Sequence, residues 1–237
     1  MRLSRVVLTR GTQQAILQGM IHVGPQKLYD TVQKDMDQAA QSGYQVVFEG
    51  VRKSLPGKIV FSSNAKKIKL FLETLFKLYP VLASTFGVST QKIKYPKRAI
   101  NADTDLDDVV KRLDRNKFRC NFLLFIIQIF FKMESERTEE EKKKDAKDWK
   151  TEMNRSDKSL TSKFFAWLFF RKAMPIILDY RNEVAVRKMR SYDQFTKSTR
   201  NYFILYGDRH VKGLVRLLQK EGWVVAKTTY TDLAEFI

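Results

Sequence analysis

The apolar residues of this chain keep two different periods, and the change from one to the other constrains the architecture most. Near the ends they form short β-rich runs. Residues 5–9 and 13–21 flank Arg10-Gly11-Thr12, where glycine supplies the positive φ a tight turn needs, so they are predicted to pair as a hairpin. Tyr44-Gln45-Val46-Val47-Phe48, Tyr202-Phe203-Ile204-Leu205-Tyr206 and Trp223-Val224-Val225-Ala226 read as further strands. Between them the spacing is helical. After Pro25, Leu28, Val32, Met36 and Ala39 recur on one helix face until Gly43. Ile68, Phe71, Leu72, Leu75 and Phe76 do the same over 65–79, with lysines opposite. Residues 104–115 predict a helix capped by Thr104 or Asp103. Asn121 opens an apolar stretch that runs on, as one long helix, through the mixed charges to Lys150. Pro175 reads as punctuation, and 181–190 and 211–218 as further helices.

This pattern predicts an α/β fold: a mixed, partly parallel central sheet built from both chain ends, flanked by helices, with a helical middle insertion. The strand, helix, strand unit ending at Phe48 predicts a parallel pair with a right-handed crossover. With no internal repeat and no low-complexity linker, residues 1–237 read as a single domain, in which 65–200 form a mostly helical, basic middle.

Charge does not point to the same place as the strands. The chain carries 44 Lys and Arg against 26 Asp and Glu, a net +18. Residues 51–100 contribute +10 and 151–200 contribute +6, while 1–50 and 201–237 contribute +1 each. Such a stripe suits an anionic partner, whether nucleic acid, an acidic membrane or an acidic protein, and equally a solvated basic surface. The aromatic run 164–170 reads as core or homodimer interface, although Lys163, Arg171 and Lys172 beside it leave an interfacial reading open. The longest apolar run, 122–131, is ten residues interrupted by Gln128; a bilayer takes about 20. No secretory signal precedes the first strand, so a cytoplasmic protein without an integral membrane span is expected.

The lone cysteine, Cys120, excludes an intramolecular disulfide and a thiolate-rich metal site, and its apolar surroundings suit a buried small hydrophobe. No G-x-S-x-G, Walker or dinucleotide-binding motif occurs. Attention therefore falls on the two histidines. Each follows a strand, three residues after a glycine: Gly19-x-x-His22-x-Gly24 and Gly207-x-x-His210-x-x-Gly213. Glu49 ends a third strand. Functional groups in open α/β sheets gather beyond the carboxyl ends of the strands. Two imidazoles and a carboxylate there have the composition of a divalent-metal site with room for water, or of a general acid/base pair. Histidines satisfied by backbone at strand ends would look the same.

These motifs resemble the TIKI/TraB family, related to the wider group with ChaN and erythromycin-esterase-like folds. The matching pieces are the N-terminal hairpin into Gly19-Met20-Ile21-His22-Val23, Val46-Val47-Phe48-Glu49-Gly50, Leu178-Asp179-Tyr180-Arg181-Asn182 and Gly207-Asp208-Arg209-His210-Val211-Lys212-Gly213, with a weaker match at Asn101-Ala102-Asp103. The resemblance covers roughly the first 50 and last 60 residues. It implies a metal-dependent hydrolase acting on peptides. His22, His210 and Glu49 would hold a divalent ion (Mn, Co or Zn), and Glu49 and Arg181 would serve catalysis. Asp103 could add a ligand or cap a helix, and Arg181 could instead pair with Asp179 or Glu183. TraB-like members lower peptide-pheromone activity and ChaN-like ones bind haem, so the shared site leaves the reaction open. The other class is a non-catalytic protein that sequesters a peptide or an anionic partner through its basic middle.

Overall fold

A computed structural model describes residues 2–52, 61–85, 87–136, 138, 140–141, 160–196 and 200–236. The chain divides into two compact units. The first comprises Met1–Val51, Gln91–Thr104 and Leu178–Ile237, and the second Arg52–Thr90 and Asp105–Ile177.

In the first unit the chain runs β1 (Arg2–Arg10), β2 (Gln13–Met20), the two-residue β3 (Val23–Gly24), α1 (Gln26–Gln41), β4 (Gln45–Phe48) and later β6 (Ile100–Asn101). It ends with β7 (Tyr202–Gly207), a helix over Asp208–Lys220, β8 (Val224–Asp232) and a short 3-10 turn. The second unit holds α2 (Ser63–Thr85), the two-residue β5 (Ser89–Thr90), α3 (Leu106–Arg115) and α4 (Asn121–Ser135). We call the helix over Leu160–Thr196 α5 and the one over Asp208–Lys220 α6.

The fold is α/β, with a six-stranded mixed sheet in the order β6-β4-β7-β2-β1-β8 built from both ends of the chain, and a helical insertion between them. The β1–β2 and β1–β8 pairs are antiparallel, and β2–β7, β7–β4 and β4–β6 are parallel. Gly11, at φ +58, makes the β1–β2 turn. The pairing of β2 with β4 expected from their short connection is not made, because β7, 180 residues further on, lies between them. All five residues of the Tyr202–Tyr206 run are buried, as a central parallel strand must be, and that burial favours the inside position.

Strand alternation then separates two faces. Tyr202, Ile204 and Tyr206 join Leu8, Leu17 and Val47 in one core, covered by Ala185, Val186 and Met189 of α5 and Val211, Leu214 and Leu218 of α6. Phe203 and Leu205 turn to the other face, and α1 packs on β4 and β7 through Leu28, Tyr29, Val32 and Met36. Each fully buried Leu or Ile here contributes about 1.5–3 kcal/mol.

In the second unit α2 packs on α3 and α4. Asp114 accepts hydrogen bonds from Asn64 Nδ2 at 2.6 Å and Ser62 Oγ at 2.9 Å, and Lys69 pairs with Asp107 at 2.9 Å. Cys120 is buried. Three local expectations are corrected. Pro175 does not break the chain; α5 continues through it, anchored by buried Ala173 and Ile177 on either side. The N-cap of α3 is Asp105, not Thr104 or Asp103. The one long helix expected from Asn121 to Lys150 is not formed either: the helix ends at Ser135, with Glu136 in a turn. Residues 142–150 and the side chains of 164–170 lie outside the described residues.

Candidate functional site

The parallel strands deliver their carboxyl ends to one edge. Met20 of β2 is level with Gly207 of β7, and Phe48 of β4 with Leu205 of β7 and Asn101 of β6. Glu49 N–H donates to the Leu205 carbonyl at 3.0 Å, so the strand pairing carries one residue past Phe48 and fixes where the Glu49 side chain starts. Asp103 follows β6 at the same edge. His210 is reached differently, because α6 begins immediately after β7 and its third residue is His210.

Glu49, Asp103, Arg181, Asn182 and His210 form one buried polar cluster. Asp103 is 0% exposed and His210 3%. Arg181, midway along α5, donates through Nε to Asp103 Oδ1 at 2.9 Å and through Nη2 to Asp103 Oδ2, a two-pronged grip. The same Nη2 donates to Glu49 Oε1. It does not pair with Asp179 or Glu183; Asp179 lies 3.5 Å from Arg216 instead. The loop carrying Asp103 is held from both sides. Asn101 Nδ2 donates to the Gly50 carbonyl at 2.8 Å, and Lys188, two turns after Arg181 on α5, donates to the Asp103 carbonyl.

His210 Nδ1 lies 2.7 Å from Asn182 Oδ1. An amide oxygen can only accept, so Nδ1 carries the proton and Nε2 keeps its lone pair. Nε2 is 3.6 Å from Glu49 Oε1. The other Glu49 oxygen accepts the Gly207 backbone N–H. Imidazole and carboxylate thus face each other, each held from behind by its own partner.

Electrostatics fixes their charge states. Burial, opposed by Glu49 and reinforced by Arg181, brings His210 down to about 4, so the ring is neutral near pH 7. Burial alone would raise Glu49, but the Arg181 guanidinium, His210, His22 and the Gly207 N–H together outweigh it and hold the carboxyl at about 2. Desolvation works against the Arg181 charge, and the Glu49 and Asp103 carboxylates overcome it and hold the guanidinium protonated.

The motif glycines have a steric reason. A Cβ on Gly19 would stand 2.2 Å from Asp208 Oδ1 and 2.9 Å from the Ser4 carbonyl. Asp208 Oδ1 needs that space to accept the Ser4 N–H at 2.7 Å. A Cβ on Gly213 would stand 2.2 Å from Asn182 Nδ2, and one on Gly207 3.1 Å from Glu49 Oε2. Three glycines therefore make room for the polar side chains that hold the edge.

Of the residues singled out in the sequence, the structure brings Glu49, Arg181, His210 and Asp103 together. His22 differs: it lies in a bend after β2 and is exposed, yet it acts electrostatically on both Glu49 and His210. Among the described residues no group of three or more His, Cys, Asp or Glu side chains is arranged to hold a metal ion. Sequence reasoning missed Asn182, which orients His210, and two tyrosines. Tyr206, edge-on to the His210 ring at 5.6 Å, has a buried hydroxyl without a hydrogen-bond partner. Tyr95 stacks on Phe48 at 3.7 Å, and burial together with the Glu49 charge pushes its hydroxyl up to about 12. The signal that could have found Asn182 is its place next to Arg181 in the chain, about 100° further round the helix.

Set against protein-family models, curated proteins and solved structures, the chain matches none.

Proposed function

We propose that the chain is a hydrolase that activates water between His210 and Glu49 and cleaves peptides. One observation carries the reading: a neutral imidazole whose unprotonated Nε2 stands 3.6 Å from an ionised, buried carboxylate. Both groups are expensive to bury.

In the proposed reaction, His210 Nε2 takes a proton from water as its oxygen adds to the peptide carbonyl, and the imidazolium returns that proton to the leaving amine. Glu49 stabilises the transient imidazolium, and Asn182 keeps Nδ1 protonated so that Nε2 is the basic nitrogen. Arg181, enclosed by two carboxylates, is a positioning residue that holds Glu49 ionised and aimed.

The donor chemistry also fits a divalent ion. Glu49 and Asp103 against Arg181, with His210 neutral, leave the cluster one negative charge, and the Nε2 lone pair is the kind a metal takes. In that arrangement His22, His210 and Glu49 would hold the ion, which would acidify its water in place of the His210 base.

The test is cleavage of a peptide library, with metal content measured on the same protein. Loss of cleavage in His210→Ala and in Glu49→Gln supports the reading, and wild-type cleavage in both variants overturns it. Tight, salt-sensitive peptide binding that survives His22→Ala and His210→Ala, without turnover, would instead assign the chain to the non-catalytic class.

A further inference from the structure

The hydrolytic reading leaves one buried group without a task. Among the described residues, the Tyr206 hydroxyl is the one buried side-chain polar atom with no hydrogen-bond partner. Tyr206 is 1% exposed. A polar atom taken out of water and left unpaired is costly, and folded chains keep few of them.

This hydroxyl belongs to the polar cluster at the strand ends. The Tyr206 ring stands edge-on to His210, with centroids 5.6 Å apart. Burial, followed by the charges of Asp103 and Glu49, pushes the hydroxyl well above its ordinary range, with Arg181 opposing them. The oxygen therefore keeps its proton and has a hydrogen bond to donate.

The carboxylates have acceptor capacity left. An ionised carboxylate offers about four lone-pair sites. Asp103 Oδ1 accepts from Arg181 Nε at 2.9 Å and from the Thr104 N–H at 2.8 Å, and Oδ2 accepts from Arg181 Nη2 alone among the described residues. Glu49 accepts one bond on each oxygen, from Arg181 Nη2 and from the Gly207 N–H. A donor and unfilled acceptors thus share one enclosed cluster without bonding to each other. Whatever joins them must accept from the hydroxyl and donate to a carboxylate. A metal cation cannot accept, an anion is repelled by the net negative charge of the cluster, and a bulky ligand does not reach an atom so deeply buried. Water does both.

We propose that an internal water bridges the Tyr206 hydroxyl to the Asp103 and Glu49 carboxylates, and that Tyr206 is the positioning residue that keeps water beside the His210–Glu49 pair. The water accepts from the Tyr206 O–H and donates one hydrogen to each carboxylate, which satisfies all three groups. The positioning role rests on the hydrolytic reading; the water site does not.

The test is Tyr206→Phe, which keeps the ring and removes only the oxygen. Three measurements are made on wild type and variant: thermal unfolding, a high-resolution crystal structure, and kinetics on a peptide the wild type cleaves, at a temperature well below both unfolding midpoints. The wild-type crystal should show a water within hydrogen-bond distance of Tyr206 Oη and of a carboxylate oxygen. The variant should unfold about 2–4 °C lower. Its kcat should fall about tenfold with KM unchanged, a split that a merely structural role would not produce. An unchanged or raised midpoint overturns the water site, because removing an unpaired hydroxyl relieves its burial. So does a wild-type crystal with no water, or with a metal ion, at Tyr206 Oη. Wild-type kcat in the variant overturns the positioning role. A wild-type protein that cleaves no peptide overturns the hydrolytic reading and the positioning role together, while the water site still stands or falls by the midpoint and the crystal.

Discussion

The chain uses Gly-x-x-His twice, after β2 and after β7, and the two copies do different things. The strands are neighbours in register, Met20 beside Gly207, so the motifs start from equivalent places on one edge. After β7 the helix begins at once, which turns His210 inward; it is 3% exposed, with Asn182 behind it and Glu49 in front. After β2 the chain bends before β3, and His22 stays exposed. The glycines differ as well. Gly207 gives Glu49 its space and its N–H, whereas Gly19 gives space to Asp208, a residue of the other motif. A shared local pattern therefore fixes where the backbone goes, and the next element decides what the histidine can do.

The largest effect that separates the two motifs is catalytic. His210→Ala should lower kcat/KM for peptide cleavage about 10²–10⁴-fold, the usual contribution of a positioned base, with added divalent ion giving no rescue. His22 is exposed and outside the hydrogen-bonded cluster, so His22→Ala should lower kcat/KM by less than about tenfold. Equal losses in both variants would make the motifs equivalent and break the comparison.

Next in size is the support behind His210. Arg181→Met leaves the carboxylates of Glu49 and Asp103 buried without their cation, and should cost about 3–5 kcal/mol in urea unfolding. Gly213→Ala, whose Cβ would meet Asn182, should cost about 1–3 kcal/mol and reduce cleavage with it. Gly11→Ala meets nothing within 4 Å but keeps φ +58, so it should cost about 1 kcal/mol and leave cleavage intact.

Acid should act on the second motif in two stages. His210 falls to about 4 from an ordinary 6.5. The unfolded chain therefore binds more protons between those values, and stability should decline as pH falls from about 6.5 to about 4. Glu49, held at about 2, adds a second decline below about 4.5. Unfolding midpoints across pH 3–7, with His210→Gln as control, check both; a flat profile above pH 4.5 would remove the buried neutral imidazole. The smallest effect is a shift without loss. Asn182→Asp places a negative charge against Nδ1, which favours the imidazolium, and should move the acid limb of kcat/KM upward from about 4 by about 1–2 units.

Much of the sheet was readable because its strands are short apolar runs closed by glycine, and Glu49 and His210 stood out because each follows such a run. What escaped depends on residues far apart in the chain. Asp103 resembled a helix cap because acids near a helix start usually are; the helix begins two residues later than a cap at Asp103 requires, and its carboxylate turns instead to Arg181, 78 positions away. The place of β7 between β2 and β4 was hidden for the same reason, since nothing near β2 records a strand that follows 180 residues later. Asn182 in mid-helix looks like any surface amide until Gly213 opens the space against it. Pro175 looked like a stop because local propensity disfavours it, and packing on both sides overrides that propensity.

With two histidines in the chain, the most direct measurement is a pH titration of the ¹⁵N-labelled imidazoles by NMR, with signals assigned by His22→Ala. The account expects the His210 ring to carry its proton on Nδ1 and to stay neutral until the pH approaches about 4. A His210 ring that protonates between pH 6 and 7, or that carries its proton on Nε2, would contradict it.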